Sequence, residues 1–152
     1  MAYWLMKNEV GDYSIDDLQK ESKTDWTGVR NYQARNFMRD EMKKGDLAFF
    51  YHSNAEPSGV AGIMKIISDK KPDLTQFQKS SKYFDAKAKK EDPTWYLREV
   101  EFVEKLARLV SIKELRSLPE CKKLWILRPG SRLSITPVTE EEWKAILKFS
   151  AK

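Results

Sequence analysis

With 152 residues, 41% of them hydrophobic and 34% charged, the chain has the composition of a soluble globular protein and not of a disordered one. Its length fits one domain, expected to span residues 1–152. Its net charge of +5 permits a polyanionic partner without requiring one.

The longest apolar stretches, such as Leu47–Tyr51, are far too short to span a bilayer. The start Met-Ala-Tyr-Trp-Leu-Met-Lys lacks the basic and long apolar regions of a signal peptide. The expectation is therefore a cytoplasmic protein (nuclear in a eukaryote) with no membrane partner. Cys121 is the single cysteine and His52 the single histidine. That rules out an intrachain disulfide and argues against a zinc site, so no metal and no cofactor is expected. Five Trp, six Tyr and seven Phe exceed what a small core needs, and some of these rings are expected to face a ligand.

In chain order, Tyr3–Lys7 reads as a strand rich in aromatic and apolar residues. Ser14 caps a helix from Ile15 to Glu21, with Asp17 at the capping-box position. A loop, residues 22–30, precedes a helix beginning near Asn31, whose Ala34, Phe37, Met38 and Met42 face the core. Lys43-Lys44-Gly45 is a helix stop. Leu47–His52 and Val60–Ile67 are buried strands, and Gly62 implies a bulge or a close approach of another segment. Residues 69–93 are lysine-rich and weakly periodic, a long loop of the kind that is often functional or mobile. Trp95–Val103 is a strand with Tyr96, Val100 and Phe102 on one face. Ser111–Glu114 is a capping box, and Pro119 opens another helical turn. Arg132–Thr136 is a strand that Pro137 ends, and Thr139–Glu142 caps a C-terminal helix with Trp143, Ile146 and Leu147 inward. Helices and strands do not alternate regularly. The expected class is α+β, with a curved and largely antiparallel sheet.

Enzyme signatures are missing: no phosphate-binding glycine loop, no Gly-x-Ser-x-Gly and no His-Glu-x-x-His. His52 ends a strand, where a hydrogen-bonded structural histidine is the better reading than a general base. No catalytic residue is assigned. The run Trp26-Thr-Gly-Val-Arg-Asn-Tyr-Gln-Ala-Arg-Asn36 is different. It gathers rings, guanidinium forks and amides, the groups that read a base and its phosphates. Trp26 lies in a polar loop, which favours binding over a core role. Arg30 at a helix start makes an anion site with the backbone N–H groups, although Arg30, Arg35 and Arg39 could equally be solvated helix charges. Asn31 could be a base contact or the N-cap.

These residues, followed by Gly45-Asp46, Phe50-Tyr51-His52-Ser53-Asn54, Pro93-x-Trp95 and Ser131-Arg132-Leu133-Ser134-x-x-Pro137-Val138, strongly resemble the EVE domain family across essentially the whole chain. The resemblance implies a PUA-like fold related to YTH domains, a curved, mostly antiparallel β-barrel with flanking helices. It also implies a binding module for a modified nucleobase in DNA or RNA and not an enzyme; a monomer is expected. Its pocket would be lined by the motif residues Trp26, Gly28, Val29, Arg30, Asn31 and Tyr32, by Tyr51, His52 and Ser53, and by Trp95, Arg132, Leu133 and Ser134. Trp26 and Trp95 would be the walls, and Arg30, Arg35 and Arg132 would hold phosphates. Residues 65–92 match the family least. The alternatives are a small PUA-like hydrolase acting on a modified nucleoside or amide, and a protein-interaction module.

Overall fold

The fold, seen in a computed structural model that describes residues 1–130 and 132–152, is built on one mixed sheet. The strands are β1 (Tyr3–Glu9), β2 (Lys23–Trp26), β3 (Leu47–Ser53), β4 (Gly59–Ile66), the two-residue β5 (Lys71–Pro72), β6 (Tyr96–Ser111) and β7 (Ile135–Val138). The helices are α1 (Ile15–Glu21), α2 (Tyr32–Asn36), α3 (Ile112–Ser117) and α4 (Glu140–Ser150). The main path runs β2-β6-β4-β3-β1-β7, with β5 paired to β6. Only β1 and β3 run parallel; the other ladders are antiparallel. The α+β class is as expected, but the barrel is open: β2 and β7 are the ends, and no ladder joins them among the described residues.

Both faces of the sheet are covered, which explains why β3 and β4 read as continuous apolar runs. Trp4, Met6, Phe50, Met64 and Val100 pack beneath α1 and α2 on one face. Leu5, Phe49, Tyr51, Ile63 and Val110 pack beneath α3 and α4 on the other. The strict alternation slips once in β4. Val60 and Ile63 face the α4 side while Ala61 and Met64 face the α1 side, so the parity reverses at Gly62, where the register with β6 shifts. A Cβ on Gly62 would press into the Ile15 side chain and lie 2.7 Å from the Glu104 carbonyl. Gly62 is thus both a bulge and the seat of α1.

Four segments depart from expectation. The 22–30 loop contains β2, held because Lys23–Trp26 pair with Glu101–Arg98. The strand expected over Trp95–Val103 begins at Tyr96 and runs on to Ser111, sixteen residues with two register shifts that let it bend. The α2 segment passes into one turn of π-helix at Phe37–Glu41. Arg98, 4% exposed, pins that turn by donating to the Met38, Arg39 and Met42 carbonyls and to that of Ser68. Pro137 does not end β7 but lies within it, opposite Trp4. β7 is an end strand of the sheet, where a missing N–H leaves no gap in a ladder. Expected Ser131 lies outside the described residues.

The capping boxes form as read: Ser14 with Asp17, Ser111 with Glu114, and Thr139 with Glu142. One buried hydroxyl, Thr136 Oγ1, finds no partner among the described residues. Thr136→Val removes a desolvated polar atom and no bond, so urea denaturation should find stability unchanged or raised by up to about 1 kcal/mol.

Candidate nucleic-acid interface

Two adjoining cavities open where the C-terminal ends of β1 and β3 meet the loop after β2. Their volumes are about 340 and 390 Å3. They share Asn8, Asp12, Trp26, Thr27, Lys82 and Tyr83. Tyr13 and Asp25 extend one side; Lys7, Gly28, Val29, Ser53 and Ser134 extend the other. The ends of β1 and β3 lie together because the strands pair in parallel, Glu9 opposite Ser53. Ser134 joins them because its carbonyl accepts the Lys7 backbone N–H at 2.8 Å.

Trp26 is fixed by packing. It is 5% exposed, edge-on to Phe50 at 5.3 Å and 83°, so it shows the cavity only a margin of its ring. Tyr83 is the second aromatic wall. It lies so close to Gly28 that a Cβ there would stand 2.6 Å from its ring, and Gly28 has φ +86°. Both the contact and the left-handed backbone demand glycine. Tyr13 is the third ring. Burial and its 2.5 Å hydrogen bond to Glu21 push its phenol pKa up to about 12, so it stays a neutral donor. Polar groups alternate with the rings. Asp12 pairs with Lys82 at 3.3 Å, both exposed, and Asn8 Oδ1 is occupied by the Glu9 N–H. Burial lowers the Lys7 pKa.

The loop is clamped from behind by Asp73, which is fully buried. Its carboxylate accepts from the Gly28 N–H at 2.9 Å, Arg30 at 3.2 Å, the Thr75 N–H at 3.0 Å and the Thr75 hydroxyl at 2.5 Å. Arg30 donates further to the Val29 and Tyr83 carbonyls and to Thr75 Oγ1. Its guanidinium lies 5.2 Å from the Tyr83 ring and 5.3 Å from Trp95. Trp95, also 5% exposed, stacks on Tyr32 at 5.0 Å and 29° and donates its indole N–H to Asp85 at 2.8 Å.

Of the residues singled out from sequence, Trp26, Gly28, Val29, Ser53 and Ser134 therefore come together at the cavity. Arg30, Tyr32 and Trp95 form a stack behind Tyr83 and do not line the cavity. Asn31 is the N-cap of α2, its Oδ1 accepting the Ala34 N–H at 3.0 Å. Arg35 bonds Asn36 and the Thr94 carbonyl. Tyr51 is buried on the α4 side of the sheet. His52 Nε2 accepts the Ile15 N–H at 3.0 Å, and burial lowers its pKa. Arg132 is exposed and Leu133 half-buried, and neither lines the cavity. Asn8, Asp12, Tyr13, Asp73 and Tyr83 were not found from sequence. Gly28 was the available signal, since a loop glycine implies a close neighbour, but its sequence does not say which.

The EVE domain model matches residues 2–149. The chain belongs to the EVE domain family. Human thymocyte nuclear protein 1 is 40% identical over 99% of this chain and 75% of its own length. A Pseudomonas syringae protein has the same fold at TM-score 0.95 and 45% identity, covering 98% of this chain and 99% of the other. The structure of human THYN1 protein in complex with 5-methylcytosine-containing DNA matches at TM-score 0.94 and 39% identity, covering 100% and 99%. Within this EVE domain no helix of the described residues is long and apolar enough to cross a membrane.

Two outcomes follow from the clamp. Asp73→Ala leaves two buried backbone N–H groups and the partly exposed Arg30 guanidinium without their carboxylate partner, and should cost about 1–3 kcal/mol in chemical denaturation. Asp85 has its pKa held below the usual carboxylate range, first by the Trp95 hydrogen bond and then by the Lys87 N–H. A depressed pKa stabilises the fold above the unfolded value of about 3.9, and that contribution is lost as pH falls through the folded value. The Trp95 indole N–H resonance should therefore shift only on acidification below about pH 4, and Asp85→Asn should abolish that shift.

Proposed function

We propose that this EVE domain, acting as one unit over residues 1–152, binds nucleic acid and takes a modified base, of the 5-methylcytosine class, into the cavity between Trp26 and Tyr83. The observation that carries this is the aromatic cavity, in a chain that matches over its whole length a protein crystallised with 5-methylcytosine-containing DNA. A volume of about 340 Å3 is at the small end for ligand sites, which suits one base and not a larger ligand.

The polar lining favours a base with an exocyclic amine. The Asp12 and Asp25 carboxylates can accept from such an amine, as acidic side chains do from cytosine N4. The Asn8 amide keeps its N–H2 for a ring acceptor, its oxygen being engaged by Glu9. Stacking on the Tyr83 ring supplies roughly 1–3 kcal/mol, which offsets an unstacking cost of a few kcal/mol. Burying one methyl group adds about 0.8 kcal/mol, roughly fourfold in affinity. Trp95 acts from behind, steadying Tyr83 through Arg30, and Arg30 serves the clamp. Phosphate contact then falls to Arg35, Arg132 and Lys82, all reachable from solvent. No observation favours the hydrolase reading: the Cys121 thiol is pushed up to about 11, chiefly by burial, and lies across the sheet from α1, where His52 is engaged.

Fluorescence anisotropy with 5-methylcytosine and cytosine oligonucleotides at two salt concentrations tests the proposal. The methylated strand should bind at least about fourfold more tightly, with affinity falling steeply as salt rises. Tyr83→Ala should lose about 1–3 kcal/mol, and Asp12→Asn should erode the preference for cytosine over thymine. Equal binding of methylated and unmethylated strands would sink it.

A further inference from the structure

Tyr32, the first residue of α2, is 61% exposed, the most exposed aromatic ring among the described residues. It is nevertheless held in place. Its ring stacks on Trp95 at 5.0 Å, and the Arg35 guanidinium lies 5.0 Å from Tyr32 and 5.9 Å from Trp95. These three separations make a near-equilateral triangle, which puts Trp95 and Arg35 on one face of Tyr32. That leaves the side of the ring turned away from the pair to account for its exposure. Trp95 is in turn 5.3 Å from Arg30, and Arg30 is 5.2 Å from Tyr83. A ladder of flat groups, Tyr83-Arg30-Trp95-Tyr32, thus runs from the cavity wall to the surface. Asp73 fixes one member and Asp85 another.

We propose that the open face of Tyr32 is a stacking platform for a second nucleobase of the same strand whose modified base occupies the cavity; this rests on the base-reading function above. Every base has a π face, so such a platform is sequence-tolerant. A ring already immobilised loses little side-chain entropy when a base settles on it. The charge beside it suits a polyanion. Of the five N–H donors of Arg35, three are spent on Asn36 and Thr94, and the remaining two can meet a phosphate. The contacts of 5.2, 5.3 and 5.0 Å in series bound the separation of the Tyr83 and Tyr32 rings, and a base stacked beyond each adds about 3.5 Å. A strand advancing about 3.4 Å per nucleotide covers that span within about seven steps.

The test is a scan with the wild-type domain and a single-stranded oligonucleotide carrying one 5-methylcytosine, in which each nucleotide within about seven positions is replaced in turn by an abasic one. One position should stand out, its abasic form binding roughly five- to 150-fold more weakly. Tyr32→Ala should lose the same factor on the intact strand and nothing further on the abasic one, whereas Tyr32→Phe should bind as wild type. Circular dichroism checks that Tyr32→Ala remains folded. A flat abasic scan, or a Tyr32→Ala loss that is equal on intact and abasic strands, overturns the platform while the cavity's preference for the methylated base stands. Failure of the wild-type domain to distinguish methylated from unmethylated strands overturns both.

Discussion

The cavity depends on one buried carboxylate. Asp73 sits on the segment after β5, far in sequence from the loop that it holds, and it receives both the Gly28 backbone N–H and the Arg30 guanidinium. A negative charge with no exposure is tolerable only when its lone pairs are filled by strong donors. Four donors converge here. The same arrangement explains why Gly28 can adopt φ +86°: the turn is held by a hydrogen bond at its own nitrogen, and its missing side chain admits Tyr83. Clamp, turn and aromatic wall are one mechanical unit, so the ring that faces the cavity is positioned by an ion pair that does not.

The sheet supplies the rest of the frame. A parallel β1–β3 pair brings two strand C-termini to the same edge, and polar ends such as Asn8 and Ser53 collect there. Covering both faces with helices leaves that edge as the place where backbone ends and loops can meet a ligand. The bulge at Gly62 contributes indirectly. By letting Ile15 approach β4, it seats α1, and the His52 Nε2 bond to the Ile15 N–H anchors the start of that helix. Tyr13, one cavity ring, sits just before that helix.

What the sequence made legible was local. Capping boxes, the Gly62 irregularity and the inward stripe of α4 each arise from residues a few positions apart, and each formed as read. Hidden features depended on partners distant in sequence. β2 looked like a loop because a four-residue edge strand with the burial pattern of Lys23–Trp26 carries little periodicity without β6. Pro137 looked like a strand end because its tolerance depends on β7 being outermost. The Trp26–Asn36 run stands out by residue type, yet its residues separate by role: Asn31 caps, Arg30 clamps, Val29 packs and Trp26 borders the cavity. Residue type identified the cluster, but only three-dimensional distances could divide the work within it.

That division bears on where ligand preference is written. The motif residues mostly build the frame, while Lys82 and Tyr83, which close the cavity, come from the segment 65–92. The segment is lysine-rich and carries little regular structure, but it is not loosely attached. Asp73 binds the Gly28 loop, Gln76 bonds the backbone of Thr94 and Trp95, and Asp85 holds the Trp95 indole. Three anchor points hold the segment in place. The buried Asp73 carboxylate fixes the frame, and one wall of the cavity is carried on the segment that it anchors. The shape of the cavity therefore follows from the Asp73 clamp, and the chemistry of its open side from Lys82 and Tyr83.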